Sequence, residues 1–238
     1  MNVYHTPQYQ DYRQRCGFVF SEAHRSSLPG ETQSLAEGYS VRTDYYTGQL
    51  DYQICAARHS LLDGAGRAVH TWDNLDSDGE FCSLISHANG NHYLIFREDL
   101  YGYSVLEVET GETLHYIPEK SWPLDGRMGK ETFIWTNADY DPKTNLLAVW
   151  GCYWACPGSV VFLDFSHPLE EQDSDRWVEM HELIDPEYDL FDDIRMVNWN
   201  VRGWTCFECI SATENTGWTE ELVWQEKILD AVRKKLAD

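Results

Sequence analysis

Basic residues are scarce in this chain of 238 residues: 18 Lys and Arg stand against 40 Asp and Glu, which leaves a formal net charge of −22. Nucleic acids and anionic membrane surfaces are bound through basic patches that release counterions or attract headgroups, so a surface of this sign is repelled by both at long range. Direct nucleic-acid binding and membrane association are therefore not expected, and the charge reads either as a well-solvated surface or as the complement of a protein partner with a basic face. Long apolar runs are also missing. No window approaches the length of a membrane-spanning helix. Residues 1–13 hold no basic stretch followed by an apolar one, so no signal peptide is expected and the cytoplasm is the expected compartment. The seven cysteines, Cys16, Cys55, Cys82, Cys152, Cys156, Cys206 and Cys209, are odd in number and sit mostly in strand-like runs, which reads as reduced thiols rather than a disulfide framework.

Catalytic signatures are missing as well. The chain has no Gly-x-Ser-x-Gly elbow, no His-Glu-x-x-His and no Gly-rich phosphate loop, and no cofactor is expected. A triad assembled from distant residues would leave no mark of this kind, so the nine histidines keep that possibility open.

What the chain does have is aromatic side chains, ten Trp and fourteen Tyr, which favour pleated, half-buried surfaces. Short strand-like runs follow one another between Gly, Asp and Pro. The clearest are 92–97, 101–108 and 112–117 around a Thr110-Gly111 turn, then 145–151 and 159–165 before a turn at Ser166-His167-Pro168. A weaker third set covers 176–183, 194–199 and 204–210. Upstream, 17–20 reads as a strand, 41–46 and 50–57 as a hairpin about Thr47-Gly48, and 68–72 and 80–87 as two further strands, with a strong turn at Asn89-Gly90. At the other end Thr219 can cap a helix with Glu220 and Glu221 in its first turn and Arg233, Lys234 and Lys235 in its last. Leu222, Leu229, Val232 and Leu236 then share a face. The expectation is a single all-β domain over 1–238, an antiparallel propeller-like sheet array or a sandwich, with an amphipathic helix over 219–237.

The residues Tyr101-Gly102-Tyr103-Ser104-Val105-Leu106-Glu107-Val108, the stretch 136–149 and the segment Gly151-Cys152-Tyr153-Trp154-Ala155-Cys156-Pro157 resemble the blade strands and turns of β-propeller-like bacterial proteins of unassigned function. The His and Trp-Asp signatures of WD40 blades are not among them. The resemblance implies a blade-like fold and a binding role.

Several constellations could carry chemistry. Cys152 and Cys156, with Cys206 and Cys209, supply four thiols for a tetrahedral zinc site. Residues three apart on a strand point to opposite faces, however, which favours free thiols. The run Asn74-Leu75-Asp76-Ser77-Asp78-Gly79 matches the first half of a calcium-binding loop, but the twelfth position is Ile85 instead of a bidentate Glu, so Asp78-Gly79 reads as a turn. Residues 185–193 set Tyr188, Leu190 and Phe191 among carboxylates, either as a contact loop for a basic protein or as a solvated connection. The candidate partner-binding residues are Tyr153, Trp154, Asp185, Glu187, Tyr188, Asp189, Phe191, Asp192 and Asp193. The resulting expectation is a non-enzymatic cytoplasmic interaction module, in its most pointed form an acidic inhibitor or immunity protein that covers a basic effector. The alternative is a hydrolase acting on a small or glycan substrate with carboxylates from different inter-strand loops, marked by a deep pocket with two carboxylates and exposed Trp or Tyr.

Overall fold

The computed structural model describes residues 1–27, 29–76, 81–125, 127–154, 156–199, 202–213 and 217–237; the expected Asp78-Gly79 turn lies outside them. Contacts along the chain gather into two compact units, Met1–Ser86 with Asn91–Lys130, and His87–Gly90 with Glu131–Asp238.

The first unit opens with a helix that the sequence reading did not anticipate, α1 (Pro7–Cys16). Pro7 stands at its first position, the Tyr9 amide donates to Thr6 Oγ1 at 3.4 Å, and Arg13 and Arg15 lie in its last turn. The segment 17–20, expected as a strand, is a 3-10 turn that buries Val19. Two sheets follow. The first contains β1 (Glu31–Ser34), β2 (Ser40–Gln49), β3 (Gln53–Leu62) and β4 (Ala68–Asn74). The second contains β5 (Cys82–Ser86), β6 (His92–Phe96), β7 (Tyr103–Glu107) and β8 (Thr113–Tyr116).

The β2–β3 hairpin turns at residues 50–52, later than expected, while Thr47 and Gly48 stay in the ladder opposite Cys55 and Ile54. Gly48 serves close packing instead of a turn: a Cβ there would meet Val19 Cγ2 at 2.9 Å. The core joins Val41, Leu61 and Trp72 of the first sheet to Leu94, Phe96 and Leu106 of the second. Arg13 fixes α1 to this core by donating to the carbonyls of Glu98 at 2.5 Å and Asp73 at 2.8 Å.

The second unit holds β9 (Ile134–Asp141), β10 (Leu146–Cys152), β11 (Gly158–Asp164) and the short β12 (Val178–Glu179) in one sheet. The strand expected over 176–183 is cut to those two residues of β12, because the chain turns at once into α2 (Met180–Ile184). A last sheet contains β13 (Phe191–Asn198), β14 (Trp204–Ser211) and β15 (Trp218–Trp224), and α3 (Gln225–Ala237) ends the chain's secondary structure. The expected helix over 219–237 therefore begins at Gln225. Residues 218–224 pair with β14, and Thr219 gives its hydroxyl to the Cys209 carbonyl at 3.2 Å instead of capping a helix. Ile228 and Val232 of α3 enter a core with Val160, Phe162, Val178, Met180, Phe207 and Val223.

Each sheet, taken by itself, is a meander of consecutive antiparallel strands, which is the connectivity of a propeller blade. The chain is an all-β array of four antiparallel sheets with a C-terminal helix. Among the described residues no helix is long and apolar enough to cross a membrane.

Candidate functional site

The two segments singled out from the sequence meet at one carboxylate of the second unit. Tyr153, just beyond β10, donates its hydroxyl to Glu179 Oε1, and Tyr188 donates to Glu179 Oε2 at 3.3 Å. Glu179 ends β12 and sits at the entrance to α2, so a two-residue strand fixes the acceptor that both loops use. Burial, followed by the charge of Glu179, pushes the Tyr188 phenol up to about 12, and burial with the Glu179 hydrogen bond moves Tyr153 in the same direction. Both hydroxyls are protonated donors at neutral pH. The Tyr153 ring meets Phe133 edge-on at 5.5 Å, and the Tyr188 ring stacks on His181 at 4.8 Å with 13° between planes.

His181 is buried, with Nδ1 3.1 Å from Ser159 Oγ and Nε2 3.4 Å from the Phe191 carbonyl. A carbonyl accepts only, so Nε2 donates to Phe191. Ser159 is buried as well. The pair resembles a nucleophile and base in residue type alone, because among the described residues no carboxylate is hydrogen-bonded to the imidazole and both groups are buried. Its role is to seat Tyr188.

The loop after α2 is organised by Asp185. Its buried carboxylate accepts from the amides of Asp189 at 3.1 Å, Leu190 at 3.1 Å and Phe191 at 3.0 Å. Desolvation raises the Asp185 pKa, but these three amide donors and the nearby His181 outweigh it and hold the group below its ordinary value. The same loop puts Tyr188 at φ 55°, a conformation uncommon for a bulky side chain. Asp193 Oδ1 accepts from the Gly158 amide at 2.6 Å and ties the 151–158 segment to β13.

These ties redistribute the residues expected at a contact surface. Asp185 is wholly buried and Asp193 is committed to Gly158, so both are internal supports. Phe191 is half-buried and packs on the core. Trp154 is 60% exposed, Tyr188 58% and Leu190 51%, and Glu182, Glu187, Asp189 and Asp192 are exposed along the same segments. Glu179 and His181 were not among the expected residues, and nothing in their sequence neighbourhood sets them apart. Leu190 lies in the same loop, two residues after Tyr188, and is not among the expected contact residues.

The four cysteines do not form a centre. Cys209 lies in the core, where burial pushes its thiol up to about 12, and Cys206 is buried with its thiol raised by desolvation. Cys152 is half-buried and Cys156 exposed. Among the described residues no group of three or more His, Cys, Asp or Glu side chains has the arrangement of a metal site.

Glu98 and Asp99 place two neighbouring carboxylates in the connection between β6 and β7 of the first unit. Each of their oxygens is engaged. Glu98 Oε2 lies 2.7 Å from His115 Nδ1 and accepts from Ser104 at 3.2 Å, while Oε1 is 3.8 Å from Arg13. Asp99 accepts from Tyr9 at 3.1 Å through Oδ2 and from the Leu100 amide at 2.9 Å through Oδ1. Desolvation raises the pKa of both. For Glu98 the contacts with His115 and Arg13 reverse the shift, and Asp99 stays above its ordinary value. This network fastens α1 to the sheets.

No protein family matches the chain, and no curated protein does. Among solved structures, a bifunctional GH43-CE protein of Bacteroides eggerthii is similar over 84% of this chain and 24% of its own, at 10% identity and a TM-score of 0.37, so the chain spans about a quarter of that protein's length.

Proposed function

We propose that this chain is a protein-interaction module without catalytic activity, and that the corner carrying Trp154, Tyr188 and Leu190 is its contact surface for a basic protein. The observation that supports the reading is the combination of three large apolar side chains, each more than half exposed, on loops whose backbone is held by Asp185 and Asp193 and whose tyrosines are held by Glu179. A surface ordered before binding loses little conformational entropy when it docks, and exposed aromatic anchors carry most of the energy of such interfaces. The carboxylates of Glu182, Glu187, Asp189 and Asp192, backed by the net charge of −22, would steer a basic partner and reject acidic ones. An inhibitor covering the nucleic-acid-binding face of an effector has this chemistry. The hydrolase alternative calls for carboxylates from different inter-strand loops, whereas Glu98 and Asp99 share one connection and protein donors already engage their oxygens.

Capture from host lysate on the immobilised full chain tests the reading, run beside a Trp154→Ala/Leu190→Ser variant at low and high salt. The expected result is a basic protein held by the native chain at low salt, with affinity lower by about 3 kcal/mol or more in the variant. Equal retention by both chains, or an acidic partner, would overturn it.

A further inference from the structure

We propose that the free edge of β15 takes up an extended basic segment of a partner protein as a fourth strand. The sheet of β13, β14 and β15 has three strands, whereas the other three sheets each have four. β15 pairs with β14 in unbroken register from Trp224 opposite Trp204 to Trp218 opposite Ile210, and among the described residues no strand pairs with its other side. An edge of seven residues with a regular backbone is a template for another strand, and proteins blunt such edges with Lys, Pro, bulges or brevity. The sequence Trp218-Thr219-Glu220-Glu221-Leu222-Val223-Trp224 uses none of these.

Negative charge guards it, and that charge selects the occupant. A second copy adding by two-fold symmetry about the strand centre would set Glu221 against Glu221, with both chains at a net charge of −22. A strand carrying Lys or Arg opposite Glu220 or Glu221, which lie on opposite faces, meets no such penalty. Among the described residues neither glutamate has an ion-pair partner, whereas Glu208 on β14 is held by Arg195 at 2.5 Å. The face beside the edge offers grip to alternate side chains of the added strand. Leu222 is 54% exposed, Trp204 and Trp224 pack as a cross-strand pair at 4.7 Å, and Arg195 lies 4.2 Å over the Trp218 ring. None of these residues belongs to the Trp154, Tyr188 and Leu190 corner, so the edge stands or falls independently of it.

The experiment uses the full isotope-labelled chain and three probes: acetyl-(Lys-Val)4-amide, acetyl-(Glu-Val)4-amide, and the Lys-Val peptide N-methylated at alternate amides so that one edge has no donors. The Lys-Val peptide is expected to shift the β15 amides and to bind at least about tenfold more tightly than either other peptide. Glu220→Lys/Glu221→Lys is expected to weaken it by about tenfold or more, with the chain still folded by circular dichroism. Binding that survives N-methylation would reveal simple charge attraction and overturn the proposal, as would no binding at millimolar peptide. Should the double variant fail to fold, the N-methylated probe on the native chain decides alone. A native dimer in sedimentation whose interface protects the β15 amides would replace the partner segment by a second copy and also overturn it.

Discussion

Replacing Gly151 with Ala is expected to lower the stability of the second unit by about 3 kcal/mol, the upper range for forcing extra volume into a packed interior. Gly151 sits where β10 shifts register against β9. The Ile134 carbonyl comes so close there that a Cβ would stand 1.8 Å from its oxygen and 3.0 Å from the Phe133 ring. A backbone carbonyl cannot swing aside like a flexible side chain, so either the β9–β10 ladder opens or the strands part. Phe133 also carries the Tyr153 ring, and the strain is expected to reach the loop that follows β10. Gly111→Ala is the control. That glycine has φ 76° with nothing within 4 Å of a Cβ, and its replacement should cost only about 1 kcal/mol for the left-handed backbone. Urea unfolding of both variants gives the comparison. Equal losses would mean that the close approach at Gly151 is not there.

Asp185→Ala is expected to cost about 3 kcal/mol at neutral pH, because three amides lose a charged acceptor at once inside the protein. Asp185→Asn keeps one oxygen and should fall between the two. The pH dependence follows from the depressed folded-state pKa. The contribution of Asp185 is complete above the carboxylate's ordinary value of 3.8 and is lost as pH falls through the lower folded value. The stability gap between native and Asp185→Ala protein should therefore be constant from pH 7 to about 5 and close in strong acid. A gap that persists unchanged at pH 2 would contradict the carboxylate's part in ordering the loop.

Reading the sequence succeeded where a turn glycine and strand alternation coincide. Gly90 and Gly111 take φ 93° and 76°, and the strands β6, β7 and β8 lie between and beyond them where the pattern placed them. It failed where the same residue type had another duty. Gly48 in the ladder makes room for Phe18 and Val19, and its neighbour Thr47 did not mark a turn. The C-terminal segment carries two patterns at once: Leu222 fits the helical stripe of Leu229 and Val232, and it also fits the alternation Trp218, Glu220, Leu222, Trp224. Pairing with β14 decided for the strand. α1 escaped notice because so little of it is apolar, with Tyr9 and Cys16 its buried residues.

At the candidate site the structure divides the residues that the sequence grouped together between surface and interior. A carboxylate looks the same in sequence whether it faces solvent or collects amides, so Asp185 and Asp193 were read as contact residues while they support the loop from within. Glu179 was invisible because the geometry that makes it important, two tyrosines arriving from residues 153 and 188, exists only after folding.

Hydrogen exchange of the full chain, alone and with the protein it retains from lysate, tests the central claim most directly. The account predicts that the partner slows exchange in 153–158 and 185–193, where the backbone borders Trp154, Tyr188 and Leu190, and leaves the Glu98 and Asp99 region of the first unit unchanged. Protection confined to the residues around Glu98 and Asp99, with none at 185–193, would contradict it.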